Sequence, residues 1–259
     1  MQKRQDEWEW QWQRFFSTTQ WLFEDWIFPN TLEDFKNKYV LDAGCGPGHH
    51  ARFIAPYAGR IVAMDLNTAD VAKGYNADLG NVTFVDGDIA TYTPDALFDT
   101  VYCIGVVHHT DDPDATVANL KRCVKPGGRL ILWVYSKEGN SLNEYILEPL
   151  KKLIFLRLPK SVLYAISSVL TAIVSLFVYS VYLLPLKWLP YYEYFQNWRK
   201  LNFTRNNQNV FDKLNAPQTI FISKERAQSW LTGLIDAHLS PYRGVSWRIS
   251  GTRPQKAQP

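Results

Sequence analysis

The sequence predicts an α/β fold, a parallel sheet with helices on both faces, and three observations carry that expectation. Residues 40–48 read Val-Leu-Asp-Ala-Gly-Cys-Gly-Pro-Gly, an apolar strand running straight into three glycines spaced two apart. Short apolar segments then recur down the chain with helix-like sequence between them, the alternation that builds parallel sheets. An acid, Asp65, closes the second segment about 20 residues beyond the turn, the place where a ribose is held in nucleotide-binding α/β units.

Each element has its own warrant. Trp8, Trp12 and Phe15 or Phe16 fall at helical spacing, followed by Trp21, Phe23, Trp26 and Phe28, so the N-terminal segment reads as an aromatic-faced helix. Such a helix packs on the flank of the sheet, closes over a bound ligand, or does both. Val40 and Leu41 are strand material, and His49 to Tyr57 has the look of a helix start. Gly44, Gly46 and Gly48 remove every Cβ from the turn between them, which lets backbone amides approach a ligand. The dinucleotide fingerprint requires a glycine three places after the second one. Here that place is His49, which favours a different adenosine-containing ligand. Arg60–Leu66 is the second strand and Asn81–Asp88 the third, with Asp88 placed to take an adenine amino proton and Ile89 to pack on the ring. Phe98–Val107 is the fourth strand, and Gly128–Tyr135, entered through Lys125-Pro126-Gly127-Gly128, is the fifth.

Composition narrows the classes. At 259 residues the chain can bury a large core, and a formal charge of +3 is too mild to imply nucleic acid. Cys45, Cys103 and Cys123 have no CxxC spacing, so neither a metal site nor a disulfide framework is expected, and a reducing, cytoplasmic compartment is favoured. The charged N-terminus, MQKRQDEWEWQWQRFF, has no apolar run and does not read as a secretory signal.

VLDAGCGPG, the strand end at Asp65, VDGD at 85–88, FDTVYCIGVVHHT at 98–110 and KPGGRLIL at 125–132 together resemble the class I S-adenosylmethionine-dependent methyltransferases. The resemblance is to the broad group that shares its core with ubiquinone-type C-methyltransferases, and it covers about residues 38–136. It implies a Rossmann-like, doubly wound, mostly parallel seven-stranded sheet, with Ser223–Leu234 as a late helix and Val245–Pro254 as the last strand. It implies S-adenosylmethionine as cofactor. Asp42, Ala43, Gly44, Cys45 and Gly46 would contact its methionine and ribose side, Asp65 and Leu66 the ribose, Asp88 and Ile89 the adenine, and Ile104 the sulfonium. The chain divides into an aromatic lid at 1–37, the cofactor core at 38–140, a hydrophobic helical insert at 141–215, and a closing helix and strands at 216–254. Arg14 in the lid is a candidate partner for the cofactor carboxylate.

His108 and His109 fall just past the fourth strand, beside the crevice where such sheets place their reactive site. A histidine titrates near neutrality and suits removal of a proton from a hydroxyl or a carbon acid. The alternative is that one of the two caps the strand while the other packs within the loop. Asp111 and Tyr135 are weaker candidates for the base, and His49 and His50 read as pocket lining. No Asp/Asn-Pro-Pro-Tyr/Phe motif follows the fourth strand, which lowers the prospect of an exocyclic base nitrogen or a glutamine side chain as acceptor.

Ser161–Leu186 carries no charged residue and is bracketed by Lys160 and Lys187, long enough by hydropathy to cross a bilayer. A single span would strand the late helix and last strand on the far side, leaving the sheet with an unpaired edge. Three arrangements avoid this: a hairpin dipping into one leaflet with a bend at Pro159, a helix lying flat in the interface, or a buried helix under a soluble cap. Lys151, Lys152, Arg157 and Lys160 before it, and Lys187, Trp188, Tyr191, Tyr192 and Trp198 after it, favour peripheral or monotopic association with a membrane. Because such enzymes build their substrate lid here, the acceptor is expected to be small and lipid-like. A soluble acceptor under a cap, and a non-catalytic cofactor-binding partner of a membrane enzyme, stay open.

Overall fold

A computed structural model describes residues 6–15 and 19–255 of the chain. Phe16 of the aromatic segment, the first five residues and the last four lie outside the described residues.

The chain order is helix α1 (Asp6–Trp12), α2 (Gln20–Ile27), β1 (Tyr39–Ala43), α3 (His49–Ile54), β2 (Arg60–Asp65), α4 (Ala69–Tyr75), β3 (Val82–Asp86), β4 (Phe98–Ile104), α5 (Pro113–Cys123) and β5 (Val124–Tyr135). It continues with α6 (Glu148–Leu153), α7 (Lys160–Val178), α8 (Tyr192–Trp198), α9 (Phe203–Asn215), α10 (Lys224–Ser229), β6 (Ile235–Tyr242) and β7 (Ser246–Thr252). Seven strands form one sheet in the order β3-β2-β1-β4-β5-β7-β6. β1 to β5 are mutually parallel, and β7 runs antiparallel between β5 and β6. The strand order reverses between β1 and β4, which opens a crevice beyond their carboxyl ends.

Alternate residues of the inner strands feed two cores, one on each face. Leu41, Ala43, Val62, Met64, Val101 and Leu132 join one cluster, and Val40, Ile61, Ala63, Tyr102 and Ile131 the other. Burial on both faces is what a parallel sheet between helical layers requires. A smaller third cluster of Phe15, Leu163, Phe211 and Leu214, with Trp10 of α1 packed against it, ties the N-terminal segment to the insert helices α7 and α9.

The expected strands stand in place, with shifted ends. β4 stops at Ile104 because Gly105 turns to φ +81°, and Val107–His109 forms a short 3-10 turn instead of continuing the strand. The late helix is shorter than expected: α10 is capped by Ser223, whose Oγ accepts from the Arg226 amide, and ends before Gly233 at φ +80°. β6 was not resolved from the sequence as a separate strand. It is an edge strand, exposed at Ile235, Asp236 and Ala237 and carrying Pro241, as edge positions tolerate.

The insert leaves and returns at one point. Ser136 bridges Ile222, the Lys137 amide donates to the Ile222 carbonyl at 2.9 Å, and the Ile222 amide donates to the Tyr135 carbonyl at 3.0 Å. The sheet is therefore complete, and a single membrane crossing at 161–186 is excluded by the position of the chain on both sides of it. α7 buries Leu163, Ser167, Thr171 and Val178 while Val169, Ile173, Leu176 and Phe177 face outward. The flanking charges divide in a way that the sequence did not reveal. Lys151 is buried against Glu148, Lys160 donates to Asn215 Oδ1 at 2.7 Å, and Trp198 is buried with its Nε1 donating to Ser175 Oγ at 3.1 Å. Lys152, Arg157, Lys187 and Trp188 stay exposed.

Candidate active site

A cavity of about 440 Å³ lies over the carboxyl ends of β1, β2 and β4 and extends beneath α9. Volumes in this range hold small-molecule ligands. Of the ten expected cofactor residues, Gly44, Cys45, Gly46, Asp65, Leu66, Asp88, Ile89 and Ile104 line it. Asp42 and Ala43 do not; they sit beneath the loop in β1, both fully buried.

The glycine loop works by space more than by free donors. Gly44 and Cys45 both donate to the Met64 carbonyl, at 2.7 and 2.9 Å, Gly46 donates to Asp65 Oδ2 at 2.7 Å, and Gly48 donates to the Cys45 carbonyl at 2.9 Å. Those amides bond within the protein, while Gly44, Cys45 and Gly46 still line the cavity. The glycines are needed for their conformation and close packing. Gly44 has φ +84°, and a Cβ there would stand 2.5 Å from Val106 Cγ2; a Cβ at Gly46 would meet the Trp12 ring at 3.2 Å. Asp65 accepts from the Gly46 amide at Oδ2 and, at 2.8 Å, from the Leu66 amide at Oδ1.

The two histidines separate. His109 lines the cavity, and its Nδ1 lies 2.7 Å from the Gln218 carbonyl. A carbonyl only accepts, so Nδ1 carries the proton and Nε2 keeps its lone pair. Gln218 Nε2 in turn donates to the His109 carbonyl at 3.1 Å and to Asp111 Oδ1 at 2.9 Å. Burial lowers the His109 pKa from its ordinary 6.5, which leaves the ring neutral at physiological pH. The Trp8 ring covers it at 5.3 Å. His108 is a correction: it is fully buried, does not line the cavity, and accepts the Tyr135 amide at Nδ1 at 3.4 Å. It ties β4 to β5 and has no route to a ligand.

The remaining candidates are placed as follows. Asp111 and Tyr135 line the cavity, and burial pushes the Tyr135 pKa up to about 12, so its phenol is neutral. His49 and His50 also line it, with burial depressing both pKa values to about 3. Arg14 is turned outward, its guanidinium 4.5 Å from the Trp10 ring, and does not reach the cavity. Among the described residues no group of acids, histidines and cysteines is arranged to hold a metal ion.

Residues 41–132 match the family model described as a methyltransferase domain. Residues 41–132 thus carry a methyltransferase domain. Two curated relatives match it in part. A sterol 24-C-methyltransferase of Eremothecium gossypii is 36% identical over 113 residues, 40% of this chain and 30% of that protein. A ubiquinone biosynthesis O-methyltransferase of Coxiella burnetii is 33% identical over 99 residues, 37% of this chain and 42% of that protein. The chain thus spans less than half the length of the curated relatives it matches. Over nearly its whole length the fold is that of the N-methyltransferase NodS from Bradyrhizobium japonicum, solved with S-adenosyl-L-homocysteine, at a TM-score of 0.50, 10% identity, 91% of this chain and 85% of that one.

The methyltransferase domain supplies the floor of the cavity, and the insert supplies a wall that the sequence reading missed. Arg205, Gln208, Asn209 and Asp212 line the cavity from α9 at spacings of three and four, one face of a helix. The opposite face packs on α7, where Thr171 Oγ1 donates to Asn207 Oδ1 at 3.3 Å. Helical periodicity in FTRNNQNVFDKLN was the available signal, with Val210, Phe211 and Leu214 on the core side.

Proposed function

We propose that the protein moves a methyl group from S-adenosylmethionine to an oxygen, carbon or nitrogen atom of a small, lipid-like acceptor at the cytoplasmic face of a membrane. The observation that carries the reading is a single cavity joining the glycine loop, Asp65 and Asp88 to a tautomer-fixed histidine, His109. A sulfonium methyl is already activated, so the protein's work is positioning and, for a hydroxyl or carbon acid, proton removal. Asp65 holds the ribose and Asp88 with Ile89 the adenine, while Ile104 borders the reacting centre. His109 takes the acceptor proton at Nε2, and Gln218 keeps that nitrogen aimed inward. The acceptor lies against Trp26, Trp133 and Tyr135, aromatic walls of the same cavity. Trp8 and Trp12 of the N-terminal lid exclude water above it.

The outward apolar face of α7 supports the membrane half of the reading, because Val169, Ile173, Leu176 and Phe177 form no part of any core. Exposed Lys152, Arg157 and Lys187 suit an anionic leaflet. Incubation with labelled-methyl S-adenosylmethionine and total cell extract tests the function. Label in the organic phase is the expected result. Label only in the aqueous phase makes the acceptor polar and the insert a cap. Cofactor binding with no labelled product makes the chain a non-catalytic partner.

A further inference from the structure

Among the described residues that line the cavity, Arg205 alone is a lysine or arginine. It comes from α9 of the insert, outside the stretch matched by the family model. Its Nη1 donates to Asn209 Oδ1 at 2.5 Å, and no carboxylate among the described residues lies within ion-pair distance of it. Asp212, on the same helix, acts on Arg205 electrostatically without forming an ion pair with it, so the guanidinium keeps its fork of donors for an anion in the cavity, since Arg binds carboxylates through that fork.

The cofactor assigned above carries such an anion at one end. With adenine at Asp88 and ribose at Asp65, the methionyl end runs past the glycine loop toward the start of α3. His49 and His50 stand there, and they are neutral. The charge of Arg205 contributes to depressing both, which puts the guanidinium within electrostatic reach of that end of the cavity. Arg14, the residue expected for this task, points outward. Lys213, the next cation along α9, is spent elsewhere: it lies over the Tyr135 and Tyr194 rings at 5.2 and 5.4 Å and borders a separate small cavity.

We infer that Arg205 binds the methionyl carboxylate of the cofactor, so that the insert, and not the methyltransferase domain alone, completes the cofactor site. The inference rests on the cofactor reading above and assigns α9 a second role beside shaping the acceptor pocket. Asn209 holds the guanidinium in place for the carboxylate.

Titration calorimetry with two ligands tests it. S-adenosylhomocysteine carries the carboxylate, and 5′-methylthioadenosine shares the adenosine and thioether but lacks it. For Arg205→Gln the expected result is weaker S-adenosylhomocysteine binding by about ten- to a hundred-fold, with methylthioadenosine affinity unchanged. Arg205→Lys should recover part of the loss, since it keeps charge but not the fork. Methylthioadenosine also reports folding of each variant. Equal weakening of both ligands would overturn the inference in favour of a structural role. Unchanged binding of both would overturn it and leave Arg205 to an anionic acceptor. Failure of the unsubstituted protein to bind either ligand defeats the cofactor reading itself.

Discussion

Asp42 and His109 make opposite demands on pH. Asp42 is buried in β1 with Oδ2 unpartnered among the described residues, and desolvation raises its pKa from 3.8 to about 7. The folded state therefore keeps a proton that the unfolded chain releases near pH 3.8, so this residue's contribution to stability falls as pH rises from 3.8 to about 7. His49 and His50 act the other way: with pKa values depressed from 6.5 to about 3, they cost stability as pH falls through that window. Comparing Asp42→Asn with the unsubstituted protein isolates the carboxyl. Thermal melts should show the variant more stable at pH 8 and the two converging near pH 4; a variant less stable at pH 8 contradicts the desolvation account. In the proposed reaction the neutral ring of His109 is the working form, and burial holds its pKa below 6.5. The acid limb of the rate profile should accordingly lie below pH 6.5. His109→Gln should remove that limb and lower kcat by roughly 10²–10⁴, with S-adenosylhomocysteine affinity retained. A variant that keeps the rate and the limb excludes His109 as the base.

At the scale of elements, the glycine turn shows why part of the site was legible. A position that needs positive φ and tolerates no Cβ leaves glycine in the sequence, and strands buried on both faces leave apolar runs. Asp65 and Asp88 could be placed because each follows such a run. Gly44→Ala should cost roughly 2–5 kcal/mol, from left-handed strain and from the clash with Val106. Adding Val106→Ala should return the steric part and leave the strain; chemical denaturation of the single and double variants measures both, and full recovery would mean the φ of +84° carries no strain. α9 was illegible for the converse reason. Its cavity face is polar, and its other face buries Asn206 and Asn207 beside Phe211 and Leu214, so the core side carries few apolar residues in a segment that reads as polar overall. α7 was read as apolar, yet its buried side is the one with Ser167 and Thr171. The side chains that name a helix as hydrophobic are here the ones outside the core.

For the whole molecule, the shared exit and return of the insert at Ser136 and Ile222 decides what α7 can do. A chain pinned at both ends to one corner of a complete sheet cannot send a single span across a bilayer, but it can present one face of a helix to the surface. Leu176 is 70% exposed and Phe177 53%, in a line with Ile173 and Val169. Burying such side chains in lipid is worth about 1.5–3 kcal/mol each when complete, so a few suffice for reversible binding. Behind them, α7 packs on α9, which carries Arg205, Gln208, Asn209 and Asp212 into the cavity. The surface that would meet lipid is thus one helix away from the site. The unsubstituted protein should sediment with phosphatidylcholine vesicles, and more strongly when phosphatidylglycerol is included. Ile173→Gln, Leu176→Gln and Phe177→Gln together should leave it in the supernatant without changing S-adenosylhomocysteine affinity. Those three positions touch no core, so stability should hold or rise. Should the unsubstituted protein ignore both kinds of vesicle, the apolar face has another partner and the acceptor need not come from a membrane.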